Sequence, residues 1–531
     1  MKKYFNIFTL LVLFSSLTGC KKDLDINNNP NSATGSTVKP ALILPNALTV
    51  TAANTITYNT YASFIVGYQL PGRGVSGFSD TYSYNFTSAS NNSLWDNVFG
   101  NLKDYQYIIT SSQNDPQQAL FNAIAHIGRV YNYQKLVDAY GDVPYTDALQ
   151  GAENVAPKFD SATSVYQNLV KELDDAIAKI KSNAGNAGTT VTALNGSSDV
   201  LFGGNLTKWI QFANNIKLRI LVRAEGSSIN NFVSSAYTTF STEGFLLENA
   251  LVNPGYNAAS KQNPFWSYYH SSVTGSASSA ATYYIPSKYI YTFYNGPLLT
   301  DAKRGALIYR NFPSTPTGQL GDEKNNPGAI PTYSAWFTGT GTGLAASNTI
   351  GVLKGRAFGV PVFLASDIYF LLAEAALNGH ILSGDAKSNF DKGILASYQY
   401  LETNVSNVIE SGQNPSADAK AYQTANAGNY LANYELAGSK EQRLEAIITQ
   451  KYIASNTINS FEAWSDFRRT TYPKIQANGS ATTTFVSISS ASSRPDKLPV
   501  RDIYPQTEYN LNPNTPQINN AFSSPIFWDL N

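Results

Sequence analysis

Aromatic side chains concentrate in three long segments without helical or strand periodicity, and their rings are the groups best suited to bind a ligand. The segments span residues 70–92, 253–297 and 310–360 and are variously rich in Gly, Ser, Tyr, Asn, Thr and Pro. A flat ring stacks on the C–H face of a pyranose, while nearby amides and hydroxyls bind its hydroxyl groups. The candidate ligand-binding residues are Phe78, Tyr82, Tyr84, Trp266, Tyr268, Tyr269, Trp336 and Phe337.

Trp266 is the centre of this predicted site. It follows Pro264 and precedes a stretch rich in Ser, Thr and Gly. We expect Trp266, with at least one of Tyr82, Tyr84 and Trp336, to form a platform on which a sugar stacks. The alternative is that these rings only pin otherwise flexible loops.

Groups for catalysis or metal binding are sparse. The three histidines are far apart and lack metal-ligand spacing, and no Gly-rich phosphate loop precedes a helix. The acidic pair Asp174 and Asp175 fits a solvated helix edge, and Glu374 is the acid most suited to burial. Asp23, Asp25 and the nearby asparagines resemble a calcium loop only loosely, because the central Gly is missing. We therefore predict no catalytic residue, no metal site and no cofactor.

The N-terminus has the order of a bacterial export signal. Lys2 and Lys3 precede a short apolar run over residues 4–17, and Thr18 and Gly19 precede Cys20. The run is shorter than the roughly 20 apolar residues that span a bilayer. Residues 17–20 resemble the lipobox, in which the cysteine is acylated after cleavage. We predict a signal peptide over residues 1–19 and a lipid on Cys20; the alternative is an ordinary secretory signal.

Residues 20–39 form a polar segment that predicts a flexible tether between the lipid and the folded chain. Its acidic residues Asp23 and Asp25 resemble the surface-export signal of some lipoproteins, or they are simply solvated. Cys20 is the one cysteine in 531 residues, so no intramolecular disulfide forms. The tether and lipid would hold the protein at a membrane, facing the cell exterior if the acidic residues act as that signal.

The composition predicts a neutral, polar surface. The chain has 37 basic and 37 acidic residues, and charged residues make up only 14% of it, against about 25% in an ordinary globular chain. No strong basic field is available for nucleic acid, so we predict no nucleic-acid partner. A surface with 34 tyrosines and few charges suits neutral hydroxylated ligands, although an extracellular protein without such a ligand has a similar composition.

Helical periodicity dominates the segments between the aromatic loops. Apolar residues recur every three or four positions, and Ser161 and Asp385 stand where helix N-caps are expected. The predicted helices cover residues 120–140, 161–180, 206–225, 366–378, 385–401 and 440–456. Ala373 and Ala376 would let two neighbouring helices approach closely, as in tetratricopeptide-type repeats.

The predicted fold is mostly α-helical. Tetratricopeptide-like helical pairs form a scaffold, and long irregular loops with a few short strands extend from it. We expect a single domain over residues 40–531, with loop-rich insertions at about 253–360.

Four sets of segments together resemble the SusD/RagB family, in particular its SusD-like branch of starch-binding proteins associated with the outer membrane. The first is residues 140–145 (YGDVPY), and the second is residues 450–454 (QKYIA) followed by 462–470 (EAWSDFRRT). The third is residues 498–501 (LPVR) with 504–510, and the last is residues 527–529 (FWD). These motifs, in this order, extend over most of the chain.

The resemblance implies a non-enzymatic protein built on four tetratricopeptide-like helical pairs. It implies a lipid-tethered lid on a SusC-like TonB-dependent outer-membrane transporter, which captures oligosaccharides and passes them into the barrel. The alternatives are a protein of the same class that captures peptides or another nutrient, and a secreted glycosidase.

The motif residues themselves fit structural roles better than ligand binding. Trp464, Phe467, Tyr472 and Trp528 are expected to pack inside the protein. Arg468 and Arg469 are expected to form ion pairs near a helix end, with Asp466 beside them. The segments that carry the resemblance are therefore not expected to bind the ligand.

Overall fold

A computed structural model describes residues 38–328, 334–339 and 350–531, in which helices predominate. The helices of the first half are α1 Pro40–Ile65, α2 Ser79–Ser83, α3 Ser93–Ser112, α4 Ala119–Tyr140, α5 Ala162–Asn183, α6 Leu206–Ala224, α7 Asn230–Ala236 and α8 Pro264–Tyr269. The later ones are α9 Ser279–Tyr283, α10 Lys288–Tyr291, α11 Ala302–Ile308, α12 Ala365–Leu377, α13 Ala386–Glu402, α14 Pro415–Ala425, α15 Lys440–Ser455, α16 Ser460–Thr470 and α17 Gln506–Leu511. Short 3-10 turns cover Pro116–Gln118, Gly151–Glu153, Ala184–Asn186, Tyr237–Thr239 and Tyr434–Leu436.

The long helices pack as consecutive pairs. Helix α3 packs against α1 and α4, α5 packs against α4 and α6, and α12 packs against α13 and α15. Helix α16 packs against both α15 and α1, so elements from the two ends of the described chain meet. The predicted mostly α-helical scaffold of helical pairs is confirmed.

The predicted helix boundaries agree closely with the observed ones because their capping chemistry is local. Helix α4 ends at Gly141, whose positive φ of 81° suits glycine and whose N–H donates to the Val137 carbonyl at 2.8 Å. The Ser161 hydroxyl caps α5 by accepting from the Ser164 N–H at 3.3 Å. The Asp385 carboxylate caps α13 by accepting from the Ser388 N–H at 2.8 Å.

The sequence patterns do not indicate helix α1. It is buried on most of its circumference, so it lacks the alternation of apolar and polar faces that indicates a surface helix. Its buried polar residues bind other elements: Asn59 donates to the Thr457 carbonyl at 2.8 Å and accepts from the Ser460 N–H at 2.8 Å. These bonds attach α1 to the start of α16, and tertiary contacts rather than periodicity therefore determine its position.

Four short strands join the aromatic loops to one another. Strand β1 (Leu70–Pro71) pairs antiparallel with β3 (Tyr284–Ile285). Strand β2 (Ala250–Val252) pairs antiparallel with β4 (Val360–Phe363). The first pairing brings the segments 70–92 and 253–297 side by side. The prediction of few short strands is confirmed, and short helices also occur within these loops.

The motif segments converge on one buried cluster. The Arg468 guanidinium lies 3.6 Å from the centre of the Trp464 ring and 4.6 Å from that of Trp528, and its Nη1 donates to the Val500 carbonyl at 2.8 Å. The Trp528 indole donates to Asp138 at 3.2 Å. The predicted packing role of these tryptophans is confirmed, since neither ring is exposed.

Buried ion pairs continue from this cluster into the helical scaffold. Arg223 pairs with both Asp138 and Glu462, and Lys451 pairs with Asp466 at 2.8 Å. The predicted pair of Arg469 with Asp466 is present at 3.1 Å, but the ion pair predicted for Arg468 is not found within the described residues, where Arg468 instead contacts the Trp464 and Trp528 rings. Removing one partner from such a buried network leaves an uncompensated charge, so its members are mutually dependent.

Within the described residues, no helix is long and apolar enough to cross a membrane, and no group of three or more His, Cys, Asp or Glu side chains could hold a metal ion. The predicted signal peptide, Cys20 and most of the tether lie outside the described residues, as does the acidic segment with Asp23 and Asp25.

Candidate ligand-binding cleft

A cleft of about 280 Å³ lies beside helix α1. One wall is a single face of that helix, because Thr57, Thr60, Tyr61 and Phe64 recur at three- and four-residue spacing. The other walls come from the loop before α3, from the start of α3 itself and from Tyr268 of α8. We call it the aromatic cleft; its further lining residues are Ile56, Thr81, Phe86, Asn91, Ser93 and Leu94.

Aromatic rings cluster along the cleft. The Phe64 ring centre lies 5.7 Å from that of Phe78 and 5.2 Å from that of Tyr284. Tyr61 packs against Phe86 at 5.6 Å. The Phe64–Tyr284 pair is edge-to-face, a geometry that aromatic pairs prefer, and the other two pairs are tilted. Strand pair β1–β3 holds the loop that carries Phe78 next to Tyr284, and the cluster therefore depends on the fold of two aromatic segments.

Three buried hydroxyl groups at the cleft lack a well-directed hydrogen bond within the described residues, namely those of Thr60, Tyr61 and Tyr268. The Tyr268 hydroxyl lies near those of Thr60 and Tyr284 without hydrogen-bond geometry to either. Burial raises the pKa of Tyr61 and of Tyr268 well above the ordinary tyrosine value. Both phenols therefore stay neutral and can donate a hydrogen bond at physiological pH.

No charged side chain is among the described residues that line the aromatic cleft. One acid lies behind the wall, where the Asn91 amide donates to the Asp502 carboxyl at 3.4 Å. Burial raises the pKa of Asp502 to about 7, and hydrogen bonds from Ile503 and Asn91 oppose that rise. The cleft thus combines apolar ring surface with neutral hydroxyl and amide groups, which suits an uncharged, hydroxylated ligand.

The structure brings some of the predicted residues to this cleft. Tyr268 lines it, and Phe78 packs against its Phe64 wall. Tyr82 contacts Phe78, with ring centres 6.2 Å apart, and is 7% exposed. These three predicted residues, from two separate segments, therefore lie in one neighbourhood.

The other predicted residues are placed elsewhere. Trp266, Tyr269, Tyr84 and Trp336 are each 2% exposed or less. Trp336 donates to the Thr457 hydroxyl at 2.8 Å and packs against Tyr269 at 5.1 Å, and Phe337 packs against the same core. None of the four buried rings offers a free face in this conformation, and their contact with a ligand stays a prediction.

The prediction from sequence missed the α1 wall. Tyr61 and Phe64 belong to a helix that the sequence patterns did not indicate, so their common face was not apparent. The available signal was the spacing of Thr57, Thr60, Tyr61 and Phe64, which fits one helical face. Aromatic residues in loops alone do not indicate a wall that is formed by one face of a helix.

Two family models match the chain. The model described as "Starch-binding associating with outer membrane" matches residues 30–289, and the model described as "Susd and RagB outer membrane lipoprotein" matches residues 356–524. The chain belongs to the SusD/RagB family. No curated protein matches it significantly.

Solved structures share the fold of this SusD/RagB chain. A chitin-binding protein is 24% identical with a TM-score of 0.64, covering 93% of this chain and 100% of its own. A SusD homologue from Bacteroides uniformis is 23% identical with a TM-score of 0.62, covering 92% and 99%. A chitin-binding SusD homologue from Flavobacterium johnsoniae is 18% identical with a TM-score of 0.66, covering 92% and 99%. At these identities the likeness concerns the fold.

Proposed function

We propose that this protein is a lipid-anchored, non-enzymatic subunit at the cell surface that captures neutral oligosaccharides in the aromatic cleft. The observation that carries the proposal is the composition of that cleft. Tyr61 and Phe64 line the cleft beside hydroxyl groups that lack well-directed partners, and a sugar supplies both C–H faces for aromatic rings and hydroxyls for the donors.

The absence of charge around the cleft supports a neutral ligand over the alternatives. A peptide end carries a charge, and no charged side chain lines the described cleft to meet it. A glycosidase requires two carboxyl groups beside the scissile bond, and the lining residues include none. Two similar folds belong to proteins named as chitin-binding, which supports a polysaccharide fragment as the ligand class.

The proposed function also includes delivery of the captured oligosaccharide to a transporter. Cys20 carries the lipid, residues 20–39 form the tether, and the folded part of the chain acts as a lid on a SusC-like TonB-dependent outer-membrane transporter. Membership of a family whose descriptions name the outer membrane supports this arrangement. Captured oligosaccharide then passes into the barrel without chemical change.

A binding array tests the ligand class. The soluble chain beginning after Cys20 is applied to neutral oligosaccharides, acidic oligosaccharides and peptides, and bound material is checked for cleavage. The proposal predicts retention on one or more neutral oligosaccharides that remain intact. Retention on peptides alone, or release of shortened sugars, would contradict it.

A further inference from the structure

A second cleft, of about 370 Å³, lies between helices α4 and α5 and shares no lining residue with the aromatic cleft. Its chemistry is different, because six of its lining side chains are acidic, basic or histidine side chains. They are His126, Arg129, Lys171, Glu172, Asp175 and Lys179. We call this the basic cleft.

Glu172 anchors one side of the basic cleft. Its Oε1 accepts from His126 Nδ1 at 2.6 Å and from Arg129 Nε at 2.8 Å, and its Oε2 accepts from the Tyr145 hydroxyl at 2.5 Å. Burial alone would raise the pKa of Glu172, but the hydrogen bonds and charges of His126 and Arg129 lower it to about 2. The carboxylate is therefore ionised and already occupied by donors.

This arrangement determines which groups remain for a ligand. Because ionised Glu172 only accepts, His126 carries its proton on Nδ1 and presents Nε2 to other partners. Arg129 is also largely occupied, since its Nη1 donates to Gln106 at 2.8 Å. The free donors must therefore come from the lysines of α5.

Lys171, Asp175 and Lys179 follow one another at four-residue spacing and share a face of α5. Within the described residues, the Lys171 ammonium has no hydrogen bond or ion pair, and Lys179 donates only to Asn122, at 2.6 Å. Each ammonium has three donors, so both have protons to offer. Counting Arg129 with the two lysines against Glu172 and Asp175, the cleft has one positive charge in excess even when His126 is neutral.

We propose that the basic cleft is a second binding site, which takes a ligand carrying an oxyanion such as a carboxylate, sulfate or phosphate group. Lys171 and Lys179 hold the oxyanion by charge-assisted hydrogen bonds, and His126 lies beside it. The excess of one positive charge matches a singly charged group, as on a uronic acid or a sulfated sugar. The site is independent of the function proposed for the aromatic cleft.

Calorimetric titration of the purified full-length protein tests this site. The probes are sodium sulfate, sodium phosphate, glucuronate and glucose 6-sulfate, with glucose as the uncharged comparison. We expect the anions to bind with an affinity that falls as salt is added, and we expect any binding of glucose to be independent of salt and of Lys171 and Lys179. Inorganic ions binding as tightly as the sugar acids would support a free-ion site, and preference for the sugar acids would support an acidic-sugar site.

Two matched variants locate the binding. The double variant Lys171→Ala/Lys179→Ala removes both lysine ammonium groups from the cleft, and we expect it to weaken anion binding at least about tenfold, the loss of one charge-assisted hydrogen bond. Lys181→Ala is the control, since Lys181 lies on the same helix but pairs with Glu243 at 3.0 Å outside the cleft. Absence of saturable anion binding, or equal binding by the double variant, would overturn the proposal.

Discussion

Tyr61 is buried and Tyr268 is half-buried, and the hydroxyl group of each lacks a well-directed partner within the described residues. A buried hydroxyl without a hydrogen bond costs about 1–3 kcal/mol of folding free energy. Neighbouring Tyr58, one helical turn before Tyr61, instead donates to the Leu94 carbonyl at 2.9 Å. This cost at Tyr61 is expected if a bound ligand supplies the missing hydrogen bond.

The substitution Tyr61→Phe separates stability from binding. Removing the hydroxyl leaves the ring in place, so we expect the melting temperature to be unchanged or raised. We expect oligosaccharide affinity to fall by about two- to tenfold, the value of one hydrogen bond. Thermal unfolding and calorimetric titration measure the two effects. Tyr58→Phe is the control and should show the opposite result, with lower stability and unchanged affinity.

The raised pKa of Asp502 predicts that the stability of the protein depends on pH. Its pKa in the folded protein is raised to about 7, above the roughly 3.9 of an unfolded chain, so the folded state binds more protons between these values. Stability is then highest at low pH within this window and falls as pH rises towards 7. We expect Asp502→Asn to reduce, but not abolish, the fall in melting temperature between pH 5 and pH 8, because burial also raises the pKa of Glu402 to about 7 and those of Asp367 and Asp529 to about 6. A variant with the wild-type slope would contradict this assignment.

Sequence reasoning found part of the candidate site at the residue scale. Phe78, Tyr82 and Tyr268 were predicted from ring-rich loops and do lie at or beside the aromatic cleft. Trp266 and Trp336 come from the same kind of segment but are buried. Composition alone does not separate a ring that faces a cleft from one that completes the core, because both occur in irregular loops.

Among the helices, those with one apolar and one polar face were predicted from the sequence, and a helix without such faces was not. Helices α4 to α6, α12, α13 and α15 were predicted from three- and four-residue periodicity. Helix α1 was not, because it is buried on most sides and contacts its neighbours through polar groups such as Asn59. The pairing of β1 with β3 joins residues more than 200 positions apart, and local patterns hold no information on such a pair.

A substitution at Gly128 tests the close packing of helices α3 and α4. A Cβ atom at this position would lie 2.3 Å from the Tyr105 ring, and that ring is held by a hydrogen bond between its hydroxyl and Thr51, at 2.8 Å. We expect Gly128→Ala to lower the free energy of unfolding by about 1–3 kcal/mol, the usual cost of overpacking. Urea unfolding measures the change.

Gly100→Ala is the matched control. Gly100 lies on α3 with no atom near its added Cβ, and alanine favours a helix over glycine by about 1 kcal/mol. We expect this variant to be as stable as the wild type or more stable. Equal destabilisation by both substitutions would mean that the contact with Tyr105 is not the cause.

At the scale of the whole molecule, the motif segments belong to the core, and the residues that line the aromatic cleft come from other segments, although Tyr61 of the cleft packs against Trp464 at 5.4 Å. Arg468, Trp464 and Trp528 join distant parts of the chain inside the core, whereas the cleft lies beside α1 and the loops that β1 and β3 join. The family resemblance could therefore be recognised from packing residues, but those residues do not indicate which ligand is bound.

The proposed anchor gives a prediction for the intact cell. Cys20→Ala removes the acylated residue, so the protein should lose its lipid and its attachment to the membrane. We expect wild-type protein, but not the variant, to incorporate a labelled fatty acid and to fractionate with outer membranes. A variant that stays membrane-bound and labelled would contradict lipidation at Cys20.

The aromatic cleft is the centre of the proposed function, and one titration tests it most directly. Ser93 begins α3 and lines the cleft from an exposed position, so we expect Ser93→Trp to fill the space without altering the core. Calorimetric titration of wild type and variant with the oligosaccharide retained most strongly on the array compares their affinities. The proposal predicts that the variant loses measurable binding while keeping the wild-type melting temperature. Wild-type affinity in the folded variant would show that the sugar binds elsewhere.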